Sequence, residues 1–284
     1  MIDRIVFFNN FHNGDVFFSK PYVKHLSEIL EYNDYSYAHN NDHKIVKDLN
    51  MNHFLIGHRF QQDRTFSYED KLYINTWIGN YLSNGRNCNW ISLHEMYEEV
   101  YNYLQELLDK EVKILDREFY QTFIDFSVFD VPLDFECDYE NTIMFSNGPV
   151  LSGQSSILNT SNIVKLLCDR FPDKKIILTH QSDIENDNIV YTRDIINTAG
   201  SDLNEISWLS TKCKYIIGRQ SGPFSFMQIN ENLNDKNKVM ISMSNSEAVD
   251  WLYNIKVPCK YINLLDQDED ALIENIYQEL VGTC

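Results

Sequence analysis

The first apolar run, Ile5-Val6-Phe7-Phe8, is short, β-rich and unbroken, the pattern of a strand buried on both faces. Turn chemistry follows at His12-Asn13-Gly14-Asp15. Beyond it, Phe17, Tyr22, Val23, Leu26, Ile29 and Leu30 recur at helical spacing. Pro21 falls inside that pattern, so the helix is expected to start near Ser19 with Pro21 in its first turn. Further strands are expected at Tyr35–His39, His53–His58 and Leu72–Trp77. Trp90–Leu108 is the clearest helix of this half, with Met96, Val100, Leu104 and Leu107 on one face and Glu95, Glu98 and Glu99 opposite. Phe119–Phe129 is aromatic and fits neither period. Asp130–Asn141 carries a proline and a run of acids, and an interdomain linker is expected there.

The second half shows the same rhythm more regularly. Strands are expected at Thr142–Ser146, Lys175–Thr179, Ile189–Thr192, Tyr215–Ile217, Lys238–Met243 and Lys260–Leu265. Helices are expected at Ile157–Phe171, Asp202–Thr211, from Pro223 to Ile229, and at Asp268–Val281. Strands alternating with helices predict an α/β fold with parallel sheets covered on both faces. Two such halves, 1–135 and 136–284, predict two Rossmann-like domains facing across a cleft.

Composition narrows the partners. The chain has 284 residues, 43% of them hydrophobic, enough for two cores, and a net charge of −18. So acidic a chain does not suit a nucleic-acid or anionic-membrane partner. No stretch of about 18 apolar residues suggests a membrane span, and the short apolar run after Met1 does not suit a signal peptide, so a cytoplasmic location is expected. The six cysteines are scattered singly, without zinc-ligand spacing.

Candidate chemistry clusters at strand ends. Asp15 can accept a proton from a substrate hydroxyl, with His12 a second base candidate; Asp15 is equally suited to capping the first helix, with Asn13-Gly14 a plain turn. Asn147, Gly148, Gln154 and Ser155 follow the first strand of the second half and can approach or hydrogen-bond a phosphate or sugar, or simply form a loop and cap. His180 closes the next strand. Glu205 suits a sugar diol, although Asp202-x-x-Glu205 also resembles a capping box. Arg219, Ser221, Gly222, Pro223, Phe224 and Ser225 make a strand–turn–helix passage whose helix start is suited to a phosphate. No P-loop, intact GxGxxG, GxSxG or HExxH is present.

Gly14-Asp15 after the first strand, two Rossmann-like halves and Gly222-Pro223 opening a late helix together resemble the GT-B glycosyltransferases. Within them the pattern is most similar to the heptosyltransferase-like and fucosyltransferase-like, metal-independent members. Phe224-Ser225 stands where a Met-His pair is common in that family. The resemblance implies an inverting transfer with no cofactor, from a nucleotide-diphosphate sugar to a glycan or small-molecule acceptor. Asp15 would be the base, the N-terminal half would take the acceptor, and the C-terminal half the donor. A nucleotide-sugar epimerase and a non-catalytic nucleotide- or sugar-binding module share this architecture.

Overall fold

The computed structural model describes residues 2–9, 11–30, 32, 34–56, 64–77, 93–150, 158–220, 222–244, 259–264 and 268–282. The chain forms two compact units, the first built on Met1–Val128 and the second beginning at Phe129. No helix among the described residues is long and apolar enough to cross a membrane.

The first unit carries β1 (Arg4–Phe8), α1 (Asn13–Ile29), β2 (Tyr35–Ala38), a 3-10 segment at His43–Leu49, β3 (Asn52–Phe54), β4 (Thr65–Tyr68), β5 (Lys71–Asn75) and α2 (Leu93–Leu108). Its sheet runs β3-β2-β1-β5-β4, parallel except for β4. Ile5, Val6, Phe7 and Phe8 are all buried, so both faces of β1 are covered, as the unbroken apolar run requires. Val6, Phe8, Ala38, Ile56 and Tyr73 form one core cluster.

Helix α1 starts six residues earlier than the proline suggested. Its N-cap is His12, and Pro21 lies in its interior. Pro21 removes one backbone hydrogen bond there. Tertiary packing offsets the loss: Tyr22 stacks on Tyr97 of α2 with ring centroids 4.2 Å apart, and its hydroxyl meets His94 Nδ1 at 2.9 Å. Strand β4 was not legible in the sequence. It is an edge strand whose Phe66 stacks on Tyr73 at 4.9 Å, and a tight turn joins it to β5, with Glu69 left-handed at φ 56°. The strand expected at His53–His58 is the three-residue β3, Asn52–Phe54; Gly57 and His58 lie outside the described residues. Phe119–Phe129 is mostly irregular: one 3-10 turn, Arg117–Phe119, ends at its first residue, and a second spans Phe126–Val128.

The second unit carries β6 (Thr142–Ser146), α3 (Thr160–Arg170), β7 (Lys175–Leu178), β8 (Ile189–Tyr191), α4 (Thr192–Ile195), α5 (Leu203–Ser210), β9 (Tyr215–Arg219), α6 (Gly222–Met227), α7 (Asn230–Asn234), β10 (Val239–Ser244), β11 (Lys260–Asn263) and α8 (Glu269–Val281). All six strands are parallel, in the order β11-β10-β9-β6-β7-β8. Ile143, Phe145, Val164, Leu167, Ile217, Ile276 and Leu280 belong to one core cluster, which seats α3 and α8 on the sheet. Helix α3 begins at Thr160 because Asn159 caps it, its side chain accepting from Ser161 N at 3.1 Å. The acidic 130–141 stretch is tied to this unit: Tyr139 O accepts from Lys214 N at 3.0 Å, and Tyr139 donates to Asp235.

Gly218 sits in β9 where a side chain has no room. A Cβ there would lie 2.4 Å from the Phe224 ring of α6. Gly218→Ala is therefore expected to displace Phe224 and lower stability by about 1–3 kcal/mol. An unchanged urea midpoint would show that α6 yields freely.

Candidate functional site

In an open, mostly parallel sheet the ligand crevice lies beyond the carboxyl ends of the strands, at the point where the strand order reverses. Each unit has such a point. In the first it falls between β1 and β5, in the second between β6 and β9.

At the first point the chain leaves β1 through buried Asn9 and enters α1 at His12. His12 Nδ1 lies 3.2 Å from Asp15 Oδ2, with the imidazole half exposed and the carboxylate only 12% exposed. Asp15 raises the His12 pKa through its hydrogen bond and, less, through its charge, while partial burial opposes the shift. Asp15 occupies the first turn of a 17-residue helix rather than the cap. Its charge therefore faces the positive end of α1. Asn13 Oδ1 accepts from Asn41 Nδ2 at 2.6 Å, and Asn41 in turn meets His39 Nε2 at 3.3 Å. Burial, with His53 nearby, pushes the His39 pKa down to about 4, which keeps that ring neutral.

At the second point Asn147 acts as a clasp. Its Oδ1 accepts from His180 N at 2.8 Å, its Nδ2 donates to His180 O at 2.9 Å, and its backbone oxygen accepts from Thr160 Oγ1 at 3.4 Å. Arg219 Nη2 donates to Gly148 O, closing β9 onto the loop after β6. Asn147, Gly148, His180 and Arg219 are thus brought together at three neighbouring strand ends. The His180 side chain is exposed, while Asn147 and Arg219 are buried, so these two shape the rim from within. A Cβ built on Gly222 meets nothing within 4 Å, so the start of α6 is open on that side. Helix α6 has only six residues, and Phe224 and Ser225 are buried in it behind Pro223.

Glu205, expected to suit a sugar diol, is enclosed by its own helix and its surroundings. It lies in α5, all eight residues of which are buried, and its own exposure is 0%. Thr198 Oγ1 lies 3.5 Å from Glu205 Oε1. Asp202 is the N-cap of α5 but makes no capping bond through its side chain, so the capping box does not form from that end. Gln154, Ser155 and Ser221 lie outside the described residues.

Several participants carried no sequence signal. Gln220 Oε1 accepts from Gln228 Nε2 and Ser242 Oγ, both at 3.2 Å, and ties the end of β9 to its neighbours. Phe11 stacks on Trp77 at 3.7 Å beside His12. Both are isolated in their loops, and only the pairing of β1 with β5 unites them.

The whole-chain architecture has solved counterparts. ADP-heptose lipopolysaccharide heptosyltransferase II of E. coli superposes with a TM-score of 0.58 at 10% identity, over 98% of this chain and 99% of that one. The E. coli heptosyltransferase WaaC, solved with ADP-2-deoxy-2-fluoro heptose, gives 0.54 at 9% identity, over 97% and 99%. A glycosyl transferase family 9 protein from Veillonella parvula gives 0.53 at 12% identity, over 99% and 97%. The fold is that of the GT-B glycosyltransferases. No family model matches the sequence, and no curated protein matches it. A GT-B fold at such low identity persists because burial pattern and strand order tolerate wholesale exchange of apolar side chains. The two α/β units of this GT-B chain each place their polar clusters at the carboxyl ends of the switch strands.

Proposed function

We propose that this GT-B chain is a glycosyltransferase that moves a sugar from a nucleotide-diphosphate donor to an acceptor hydroxyl, with inversion and without a metal. The observation that carries the reading is the polar cluster at the switch point of each sheet, with a proton-accepting pair in the first unit and a cation at the second. The similarity to solved heptosyltransferases supports it at the level of fold. In this reading the first unit takes the acceptor and the second takes the donor.

Asp15 accepts the proton of the attacking hydroxyl. His12, held at 3.2 Å, orients the carboxylate and shares the charge change. The hydroxyl oxygen attacks the anomeric carbon, and the bond to the diphosphate breaks. Negative charge grows on the leaving oxygen, and Arg219 together with the open turn at Gly222 meets it. Asn147 positions the loop after β6 through its clasp on His180, which holds the donor rim rigid.

Calorimetry with nucleoside diphosphates on wild type and Gly222→Val tests the donor site. Wild type is expected to bind equally well with a strong chelator present. A Cβ added at Gly222 meets nothing within 4 Å, so melting temperature should hold while affinity falls at least about tenfold. Equal affinity in the two proteins would remove the α6 turn from the donor site. Binding that needs added magnesium would overturn metal independence.

A further inference from the structure

Two aromatic side chains stand at the switch point of the first sheet, and the proton-transfer pair does not use them. Phe11 leaves the end of β1 and Trp77 leaves the end of the neighbouring β5. Their rings stack 3.7 Å apart at 21°. One device presents both: Asn9 Oδ1 accepts from Phe11 N at 2.8 Å, and Asn75 Oδ1 accepts from Trp77 N at 2.8 Å. Asn9 and Asn75 are themselves buried, so the two turns are anchored in the sheet. The platform is therefore built before any ligand arrives, which lowers the ordering cost of binding.

Phe11 remains 36% exposed although it is stacked. Hydroxyl-binding groups follow it in the chain: His12 is the next residue, with ring centroids 6.3 Å apart, His12 in turn meets Asp15, and Asn13 accepts from Asn41. Among the described residues, the cation beside the end of β5 is already paired: Arg64, whose backbone oxygen accepts from Asn75 N, meets Glu99 at 3.1 Å. Lys20 of α1 is closed off against Asp48 with both side chains at 0% exposure, and the whole chain carries −18. A ligand for this place needs an apolar face, a rim of hydroxyls and no anionic group. A pyranose ring fits: its axial C–H groups carry slight positive charge toward the aromatic faces, and its hydroxyls point outward.

We infer that the Phe11–Trp77 pair is the acceptor platform, and that the acceptor is an uncharged sugar unit seated on it with one hydroxyl toward Asp15 and His12. This deepens the transferase reading and rests on it. A phosphorylated acceptor is disfavoured by the same charges.

The test uses the full-length protein and saturation-transfer NMR with a panel of methyl glycosides, with glycerol 3-phosphate as the anionic comparison. Ring C–H protons of at least one glycoside should receive saturation, and indole and phenyl resonances should shift. Phe11→Ala should weaken that glycoside about tenfold, the loss expected when an aromatic anchor is cut away. Phe11→Trp should restore it. Melting temperature and nucleoside-diphosphate affinity should be unchanged in both variants, which separates a lost platform from a damaged fold. Glycoside binding that survives Phe11→Ala overturns the inference. So does a panel in which no glycoside binds, or one in which glycerol 3-phosphate binds in their place. A wild-type protein that binds glycosides at Phe11 but no nucleoside diphosphate would sink the transferase reading and leave a sugar-binding module.

Discussion

Asp15→Asn is expected to lower sugar transfer by about 10²–10⁴-fold, the usual loss when a general base is removed. The substitution keeps size and much of the hydrogen bonding. Its cost in stability is small, because Asp15 sits in the first turn of α1 and not at its cap. Losing the carboxylate from the helix's positive end costs about 0.3–1 kcal/mol. Donor affinity should hold, since the groups proposed for the donor belong to the second unit. A second readout comes from His12. Its pKa is raised by Asp15 against the opposing effect of burial, so in the Asn variant it should fall. The sign follows from linkage: a raised histidine pKa adds stability that is complete below the ordinary value and lost as pH rises through the folded value. The wild type should therefore lose a small increment of stability across that window, and the variant should not. Transfer by the variant at near wild-type rate would dismiss Asp15 as the base and leave His12 as the next candidate.

The largest effect on folding is expected from the Lys20–Asp48 pair. Both side chains are fully enclosed, and Asp48 Oδ2 also accepts from Asp125 N at 3.2 Å. Lys20 Nζ lies 4.9 Å from the centre of the Phe123 ring. Burial lowers the Lys20 pKa against the pull of Asp48, the mark of an ammonium that has left water. Lys20→Met strands the carboxylate without its counter-charge, at a cost of about 3–5 kcal/mol. For a chain of this size that is a fall in melting temperature on the order of 10 °C. The double variant Lys20→Met, Asp48→Leu removes both charges and should recover most of the loss. A single variant that melts within about 2 °C of wild type would show that water reaches the pair.

Polar contacts were less legible in the sequence than apolar ones. Glu205 was expected to suit a sugar diol from its local sequence, and its full burial within α5 could be read only from the fold. Gln220 and Asn41 carried no signal in their local sequence, yet they hold strand ends and loops together through bonds to residues distant along the chain. Pro21 suggested a later helix start than the one observed, because local propensity yields to the packing of Tyr22 against Tyr97.

Periodicity is local information, and it sufficed for most of the elements. The runs at Ile5–Phe8, Thr142–Ser146 and Tyr215–Ile217 are strands because unbroken β-rich apolar stretches must be covered on both faces, and the helical spacing between them implies parallel crossovers. The sequence by itself therefore determined the α/β class, the two halves and the strand–turn–helix passages at Asp15 and Gly222. Tertiary structure alone decided the order of strands, since any parallel strand can neighbour any other until loops and core volumes choose. That choice places β1 beside β5 and β6 beside β9. It thereby joins Phe11 to Trp77 across 66 residues of sequence and Arg219 to Gly148 across 71. Side-chain burial was decided at the same step, as where Asp48, 28 residues away, meets the enclosed Lys20 with its counter-charge.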